Sequence, residues 1–230
     1  NTDHLVVWYE NTDGQGSFGP RQLITSELGR QSSIVMEDLD GDTDLDIVIT
    51  IISSGKIVWF ENTDGLGTFG TEQVITIASF SSTTRFIGVV AVDLDGDTDI
   101  DILYNTNGSP DSNIYWLENT DGQGAFGTEQ LVSDIFGGLI YVKAADLDAD
   151  GDQDIYGQNT FDGVVSFEND GSGNFSYGQN IANSTMDFAG VASAYDVDND
   201  SDLDMITVIR DLEPTSSVNS YRGAIIWYEN

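Results

Sequence analysis

Short apolar runs alternate with short polar turns along the whole chain, and no long segment shows the 3.6-residue periodicity of an amphipathic helix. The apolar runs are rich in Val, Ile, Trp, Tyr and Phe, and clusters of Gly, Asn and Asp separate them. This pattern predicts an all-β chain made of short strands joined by tight turns.

The predicted strands fall into groups of four. First strands (34–36, 89–92, 141–145, 191–195) precede an acidic loop, and second strands (47–52, 100–104, 155–156, 205–209) follow it. Third strands, such as 56–61 and 114–118, lead into an Asp-Gly-x-Gly turn, and fourth strands, such as 72–77 and 129–132, follow that turn. Both connections are typical of β-hairpins, so each group predicts an antiparallel meander.

The third strands are apolar at successive positions, as in residues 5–9 and 57–60. A half-exposed strand would alternate between apolar and polar residues, so a continuous run indicates a sheet that is buried on both faces. Small residues in the first strands, such as Ala91, Ala144 and Ala192, are expected where sheets converge on an axis. We therefore predict a β-propeller of four-stranded antiparallel blades, with about four repeats in this chain.

The acidic loops each carry Asp at positions 1, 3, 5, 7 and 9, and successive loops are 55, 53 and 50 residues apart. Carboxylates packed this closely repel one another unless a cation lies among them, and clustered oxygen ligands suit Ca²⁺. The chain has no Cys and one His, which nearly excludes a zinc or copper site. The candidate metal residues are Asp38, Asp40, Asp42, Asp44, Asp46, Asp93, Asp95, Asp97, Asp99, Asp101, Asp146, Asp148, Asp150, Asp152, Asp154, Asp196, Asp198, Asp200, Asp202 and Asp204.

The overall charge bears on the partners. Among 230 residues, 40 are acidic and seven are basic, giving a formal net charge of -33. This balance argues against nucleic acid and anionic membranes as partners. The sequence contains no run of 18 apolar residues, so we expect no membrane insertion. Calcium sites of the millimolar class favour an extracellular or cell-surface location. We expect a soluble segment from which any targeting sequence has already been removed.

A Phe-Gly pair follows three of the Asp-Gly turns, as Phe18-Gly19, Phe69-Gly70 and Phe126-Gly127. Together with the fourfold acidic loop, this pattern resembles the FG-GAP or VCBS repeats, the calcium-binding blades of integrin-α-like β-propellers in secreted and surface proteins. The resemblance covers essentially the whole chain.

The resemblance implies one Ca²⁺ in each loop, about four in all. Side chains at positions 1, 3, 5 and 9 would bind the ion, together with the main-chain carbonyl at position 7 (Asp44, Asp99, Asp152, Asp202). This sequence departs from the family at position 6, where Gly is usual and only Gly151 conforms. If position 6 needs a positive φ, then Thr43, Thr98 and Ser201 are strained there, and their loops bind more weakly.

Simpler interpretations accompany each motif. The acidic loops have two simpler interpretations: they are turns that bind no metal, or they bind ions with a purely structural role. We favour the structural ions. An EF-hand is excluded because position 12 carries no carboxylate, being Ile49, Tyr104, Gly157 or Thr207. The four tryptophans, which would otherwise form a sugar-stacking platform, are expected to be core residues because they lie in apolar strands: Trp8, Trp59, Trp116 and Trp227.

The meander order assigns the loops to two edges of the sheets. The acidic loops and the Asp-Gly turns share one edge and vary little between repeats. The divergent segments 78–85, 105–113 and 211–223 lie at the other edge, which we interpret as the binding face.

We interpret residues 1–230 as one repeat array, with blades at about 30–78, 86–133, 139–182 and 189–230 and N-terminal strands in residues 4–28. Three kinds of closure stay open: a four-bladed ring, a piece of a longer propeller, or two chains that complete each other's end blades. The piece of a longer array is the interpretation we favour.

The leading functional hypothesis is a calcium-stabilised binding or adhesion module that recognises a glycan or a protein. The alternatives are the propeller domain of a secreted polysaccharide-degrading enzyme and a self-assembling structural repeat. We expect no enzymatic activity, because one His, two Lys and no Cys form no catalytic constellation.

Overall fold

The computed structural model describes residues 5–26, 28–77, 85–108, 112–134, 139–159, 163–182, 192–212 and 221–230. These residues form seventeen strands and no helix, which confirms the all-β prediction. The part of the chain that the structure describes therefore contains no helix with the length and apolar character needed to cross a bilayer.

The strands form five antiparallel sheets, and the strands of each sheet follow one another in sequence. The N-terminal sheet pairs β1 (Val6–Trp8) with β2 (Gln22–Thr25). Sheet 1 contains β3 (Gln31–Glu37), β4 (Asp46–Ile51), β5 (Lys56–Phe60) and β6 (Gln73–Ile77).

Sheet 2 contains β7 (Arg85–Val92), β8 (Asp101–Asn107), β9 (Ile114–Leu117) and β10 (Gln130–Ser133). Sheet 3 contains β11 (Leu139–Ala145), β12 (Asp154–Asn159), β13 (Gly163–Asn169) and β14 (Phe175–Ala182). The C-terminal sheet contains β15 (Ser193–Tyr195), β16 (Asp204–Leu212) and β17 (Tyr221–Tyr228).

The core lies between successive sheets. One apolar cluster joins Val48 and Trp59 of sheet 1 to Val89 and Tyr104 of sheet 2. A second cluster joins sheets 2 and 3, a third joins the N-terminal sheet to sheet 1, and a fourth joins sheet 3 to the C-terminal sheet. Residues 101–106 of β8, in the central sheet 2, are all buried, so the prediction of a sheet covered on both faces is confirmed there. The first strand β7 packs against the first strands β3 and β11 of the two neighbouring sheets, as expected of sheets arranged around an axis.

Some strands run further than the apolar pattern predicts. The second strand predicted at 155–156 extends through Gln158 to Asn159, and Gln158 is buried. The extension follows from backbone pairing, because Gln158 lies opposite Tyr141 on one side and Val164 on the other. Hydrogen bonds between backbones do not depend on side-chain polarity, so the length of an apolar run underestimates the length of such a strand.

The tryptophans confirm the core prediction only in part. Trp59 and Trp116 are 4% exposed, whereas Trp227 is 47% exposed. The physical reason is position: Trp227 lies on the C-terminal sheet, and none of the described residues covers that face with a following sheet. The prediction that Trp227 is a core residue is therefore wrong for this structure.

The buried Trp59 and Trp116 and the half-buried Trp8 each pack against a glycine of the next sheet. A Cβ added at Gly124 would lie 2.7 Å from Cζ2 of Trp59, and Gly173 and Gly67 lie against Trp116 and Trp8 in the same way. These glycines also have positive φ, so both backbone conformation and space favour Gly at the last position of the Asp-Gly-x-Gly turn.

This packing predicts how much stability is lost when one methyl group is added at the turn glycine. Gly124→Ala should destabilise the protein by about 1–3 kcal/mol more than Gly16→Ala, because overpacking against Trp59 adds to the backbone strain. Gly16 is the matched control, since it has a φ of 95° at the equivalent turn position and nothing within 4 Å of an added Cβ. Urea denaturation of both variants measures the difference, and equal losses would show that the Trp59–Gly124 contact does not constrain the sheets.

Candidate metal centre

The acidic loops connect the first two strands of each four-stranded sheet and of the C-terminal sheet. In each loop the backbone wraps around the carboxylate at position 1. Oδ1 of Asp38 accepts the N–H groups of Gly41 and Asp42 at 2.8 and 3.1 Å, and its Oδ2 accepts that of Thr43 at 2.8 Å. Asp93, Asp146 and Asp196 accept equivalent backbone bonds. The loop conformation is therefore built by its own carboxylates.

Positions 3 and 5 form the same kind of short-range turn. Oδ1 of Asp42 accepts the N–H of Asp44 at 2.9 Å, and Oδ1 of Asp40 accepts that of Asp42 at 3.3 Å. Such Asx turns hold the carboxylates on the inner side of the loop.

In every loop at least three carboxylates have oxygen atoms within 4.8 Å of one another. The converging groups are Asp38, Asp40 and Asp42; Asp93, Asp95 and Asp101; Asp146, Asp148 and Asp154; and Asp196, Asp198 and Asp200. The structure thus brings together positions 1 and 3 in all four loops. It adds position 5 in the first and last loops and position 9 in the two middle loops.

The carboxylate at position 9 is almost fully buried in every loop. Oδ2 of Asp46 accepts the N–H of Leu39 at 3.1 Å, and its Oδ1 accepts the N–H of Asn62 at 2.8 Å. Asp101, Asp154 and Asp204 make the same pair of bonds. Position 9 therefore ties the acidic loop to the Asn that follows the third strand, and the predicted shared edge is confirmed.

The side chain at position 7 lies outside these clusters. Asp44 lies against Gly65 of the Asp-Gly turn, where an added Cβ would overlap its carboxylate, and Asp99 and Asp152 lie against Gly122 and Gly171. A contribution from the carbonyl at position 7 stays a prediction.

Burial and mutual repulsion disfavour the ionised form of several carboxylates in the loops. Burial raises the pKa of Asp46 to about 6 and that of Asp101 to about 7. Burial and neighbouring carboxylates raise the pKa of Asp40 and Asp95, and Glu61 and Glu118 add to this effect. A cation among these groups would stabilise their charged forms.

Two loop oxygens also lack partners. Oδ1 of Asp95 and Oδ1 of Asp202 are buried atoms without a hydrogen bond to the part of the chain that the structure describes. An all-oxygen donor set with unpaired buried oxygens suits a hard divalent cation such as Ca²⁺.

The backbone at position 6 has a positive φ in all four loops. The values are 78° at Thr43 and Thr98, 101° at Gly151 and 83° at Ser201. The expectation of strain at the three non-glycine residues is therefore confirmed. Position 4 has the same backbone conformation, at Gly41, Gly96, Ala149 and Asn199, and the sequence reasoning did not identify it.

Sequence reasoning also missed a bond between sheets. Nδ2 of Asn119 donates to the carbonyl of Leu39 in the preceding sheet at 2.9 Å, and Asn169 and Asn230 donate to Leu94 and Leu147 at 2.8 Å. The available signal was the recurring Asn of the Glu-Asn motif after each third strand. This Asn links each acidic loop to the following sheet.

Comparison with solved structures supports the propeller fold. A lectin of Agrocybe aegerita, described as recognising non-reducing terminal N-acetylglucosamine, has a TM-score of 0.62 at 20% identity, over 94% of this chain and 59% of the lectin. The chain therefore spans less than two thirds of that protein. The predicted fold class, a β-propeller of four-stranded antiparallel blades, is confirmed.

Two more distant structures match at lower similarity. The biofilm matrix protein Bap1 of V. cholerae has a TM-score of 0.46 at 18% identity, over 77% of this chain and 24% of Bap1. The Tc holotoxin pore of Photorhabdus luminescens has a TM-score of 0.43 at 13% identity, over 96% of this chain and 12% of the toxin chain.

No curated protein matches the chain. The model of the FG-GAP-like repeat matches it three times, at residues 38–104, 93–157 and 146–207. Each match begins at position 1 of an acidic loop and ends just after the next loop, so the loops define the repeat. The chain belongs to the family of FG-GAP-like repeat proteins.

Proposed function

We propose that this chain is a calcium-stabilised extracellular binding or adhesion module. The observation that carries the proposal is the convergence of three carboxylates in each of four loops. Side chains at loop positions 1, 3, 5 and 9 would hold each ion, with the carbonyl of position 7. Bound Ca²⁺ would neutralise the loop and hold the strand junction in place.

We further propose that residues 1–230 form a single repeat array, with units close to 30–78, 86–133, 139–182 and 189–230 and N-terminal strands in 4–28. The described sheets support these limits, because sheet 1, sheet 3 and the C-terminal sheet each lie within one unit and sheet 2 begins one residue before its unit, at Arg85.

The ligand that we propose is a glycan or a protein, and we place its site at the edge opposite the acidic loops. Residues 105–108, 112 and 113 lie at that edge, where β8 turns into β9, and Lys56 at the start of β5 pairs there with Glu72 at 2.9 Å. The other divergent segments, 78–84, 109–111 and 213–220, lie outside the described residues. Recognition of N-acetylglucosamine by the Agrocybe aegerita lectin makes a glycan the first class to test.

An enzymatic activity stays untested, and we propose none. Two tyrosines, Tyr141 and Tyr156, take part in packing between sheet 3 and the C-terminal sheet. The hydroxyl of Tyr156 accepts the N–H of Ala194 in β15 at 3.2 Å, and that of Tyr141 accepts the N–H of Ala192, just before β15. Burial raises the pKa of Tyr141 to about 12. Its hydroxyl therefore stays protonated at neutral pH and does not supply the phenolate that would act as a general base.

Glycan-array binding, measured in calcium and in excess chelator, tests the functional proposal. We expect binding to a defined set of glycans that is lost in chelator. Equal binding in both conditions would contradict the role of calcium, and a folded, calcium-loaded protein that binds no glycan and no extracellular matrix protein would contradict the binding function.

Calcium removal should lower the melting temperature. A ligand present at 100 times its Kd stabilises the folded state by about 2.7 kcal/mol per site, and a protein of this size loses roughly 2–4 °C for each kcal/mol. Asp42→Asn should reduce the number of bound ions by one in isothermal titration calorimetry, because Asp42 is one of the converging carboxylates of the first loop. Asp134→Asn is the control because Asp134 is exposed and lies outside the loops. An unchanged melting temperature in chelator would refute the calcium assignment.

The metal-free protein should become less stable as the pH rises. Asp46 and Asp101 have folded-state pKa values of about 6 and about 7, above the value of 3.8 for an unperturbed Asp, so the folded state binds more protons. The stabilising contribution of these two groups is therefore fully present below about pH 4 and is lost as the pH rises to about 7. With saturating Ca²⁺, protons compete with the ion and the slope reverses. Thermal melts between about pH 5 and pH 8, with calcium and with chelator, measure both slopes; identical slopes would contradict the electrostatic account.

Relief of backbone strain should stabilise a loop. A non-glycine residue in the left-handed conformation costs roughly 1–2 kcal/mol, part of which the greater freedom of Gly in the unfolded chain offsets. We therefore expect Thr98→Gly to raise stability by about 0.5–1 kcal/mol and to tighten calcium binding. Thr71→Gly, at an exposed position without a positive φ, should lower stability instead. A loss of stability in both variants would show that position 6 is not strained.

A further inference from the structure

Sheets 1 and 2 both carry the sequence Thr-Glu-Gln where the fourth strand begins, but the glutamate has different partners in the two sheets. Glu72 of sheet 1 pairs with Nζ of Lys56 at 2.9 Å. Oε2 of Glu129 in sheet 2 accepts the hydroxyl of Tyr104, and the described residues give this glutamate no basic partner. Lys56 therefore neutralises Glu72, whereas Tyr104 holds Glu129 in place and leaves its negative charge.

The residues around the two glutamates differ at three aligned positions. Tyr104 lies opposite Tyr115 in sheet 2, as Ile49 lies opposite Val58 in sheet 1. Where sheet 1 has Ile49, Val58 and Lys56, sheet 2 has Tyr104, Tyr115 and Asn113. Two apolar residues and a cation are thus replaced by two tyrosines and a carboxamide beside the same glutamate.

The ring of Tyr115 is held on two sides. Its centroid lies 5.4 Å from that of Tyr104, and its hydroxyl accepts Nδ2 of Asn113 at 2.6 Å. Tyr104 is fully buried, and burial together with the bond to Glu129 raises the pKa of Tyr104, so its hydroxyl stays protonated as the donor. A ring that is already fixed loses little side-chain entropy when a ligand packs on it.

The same row of side chains reaches the solvent at Leu131. Leu131 lies opposite Tyr115, and directly opposed residues of antiparallel strands share a face of the sheet. Tyr104 is buried, Tyr115 is half-buried at the margin of the apolar cluster between sheets 1 and 2, and Leu131 is 56% exposed. Glu129 is exposed as well. This surface therefore lies between two complete four-stranded sheets and combines apolar area with a carboxylate and a carboxamide.

We propose that Tyr115, Leu131, Glu129 and Asn113 form a binding site for a neutral sugar ring. This inference rests on the glycan-binding function proposed above and names its site and its ligand class. The C–H face of the ring packs on Tyr115 and Leu131, and hydroxyl groups of the sugar donate to the carboxylate of Glu129. A carboxylate has about four acceptor sites, of which Tyr104 uses one, and hydrogen bonds to a charged acceptor are roughly twice as strong as neutral ones.

Charge determines the ligand class. Glu129 keeps its charge in a chain with a formal net charge of -33, so a carboxylate or sulfate group on the sugar would be repelled at close range. The screening length at physiological salt is about 8 Å, which does not remove a repulsion between groups in contact. The site therefore selects neutral sugars against acidic ones.

Saturation-transfer NMR on the whole calcium-loaded chain tests the site. The probes are the methyl glycosides of glucose, galactose, mannose and their 2-acetamido derivatives, with glucuronic acid as the acidic counterpart. We expect binding of at least one neutral sugar and none of glucuronic acid. Glu129→Gln, which keeps the shape of the exposed side chain, should weaken binding about tenfold or more, because it removes a charged acceptor. Glu72→Gln is the matched control and should leave binding unchanged, since it makes the same change in the Thr-Glu-Gln motif of sheet 1.

Two further variants test the apolar part of the site. Tyr115→Val introduces the residue that sheet 1 carries as Val58, and Leu131→Ser changes a side chain that is already exposed. Both should weaken binding of the neutral sugar, and an unchanged melting temperature of Leu131→Ser shows that its loss of binding is local. Equal effects of Glu72→Gln and Glu129→Gln, or preferred binding of glucuronic acid, would overturn the proposal.

The outcomes also separate this site from the function on which it rests. A chain that binds glycans on the array equally well with and without Tyr115→Val and Glu129→Gln would overturn this site and leave the proposed function intact. A folded, calcium-loaded chain that binds no probe sugar and no array glycan would overturn both. Binding of a basic peptide in place of every sugar, lost in Glu129→Gln, would overturn the ligand class.

Discussion

The buried carboxylate at position 9 is the constraint on which each repeat depends. Burying a carboxylate costs several kcal/mol unless hydrogen bonds and a counter-charge compensate. The backbone supplies two N–H donors to each such carboxylate, one from position 2 of the loop and one from the Asn after the third strand. Loop, turn and three strands therefore form one unit, and a cation among the neighbouring carboxylates would supply the remaining compensation.

The same unit also determines how the sheets stack. Leu39 donates its N–H to Asp46 in its own sheet, and its carbonyl accepts the amide of Asn119 in the next sheet. Its side chain is buried in the apolar cluster between the two sheets. An ion that stabilises the loop conformation would thus also stabilise the docking of the following sheet, because both depend on the same peptide groups. Such a linkage would account for the near-uniform loops beside the divergent segments at the other edge.

The sequence predicted the parts of the structure that depend on local pattern. Consecutive apolar residues indicated sheets buried on both faces, and the alternating Asp residues located the loops at hairpin connections. The bonds of Asn119 and Asn169 to the preceding loops were not predictable, because they join residues 80 and 75 positions apart and depend on the rotation between sheets. The exposure of Trp227 was also missed, since its strand pattern is that of an inner sheet.

The four loops differ although their carboxylates have the same spacing. Thr43 and Thr98 occupy position 6 of the first and second loops with the same φ of 78°, so backbone strain does not distinguish these loops. Burial raises the pKa of the position 9 carboxylate in both loops, to about 6 at Asp46 and to about 7 at Asp101. The second loop also contains the unpaired buried oxygen of Asp95. The second loop thus combines a position 9 carboxylate of raised pKa with an unpaired buried oxygen, and a cation would stabilise both.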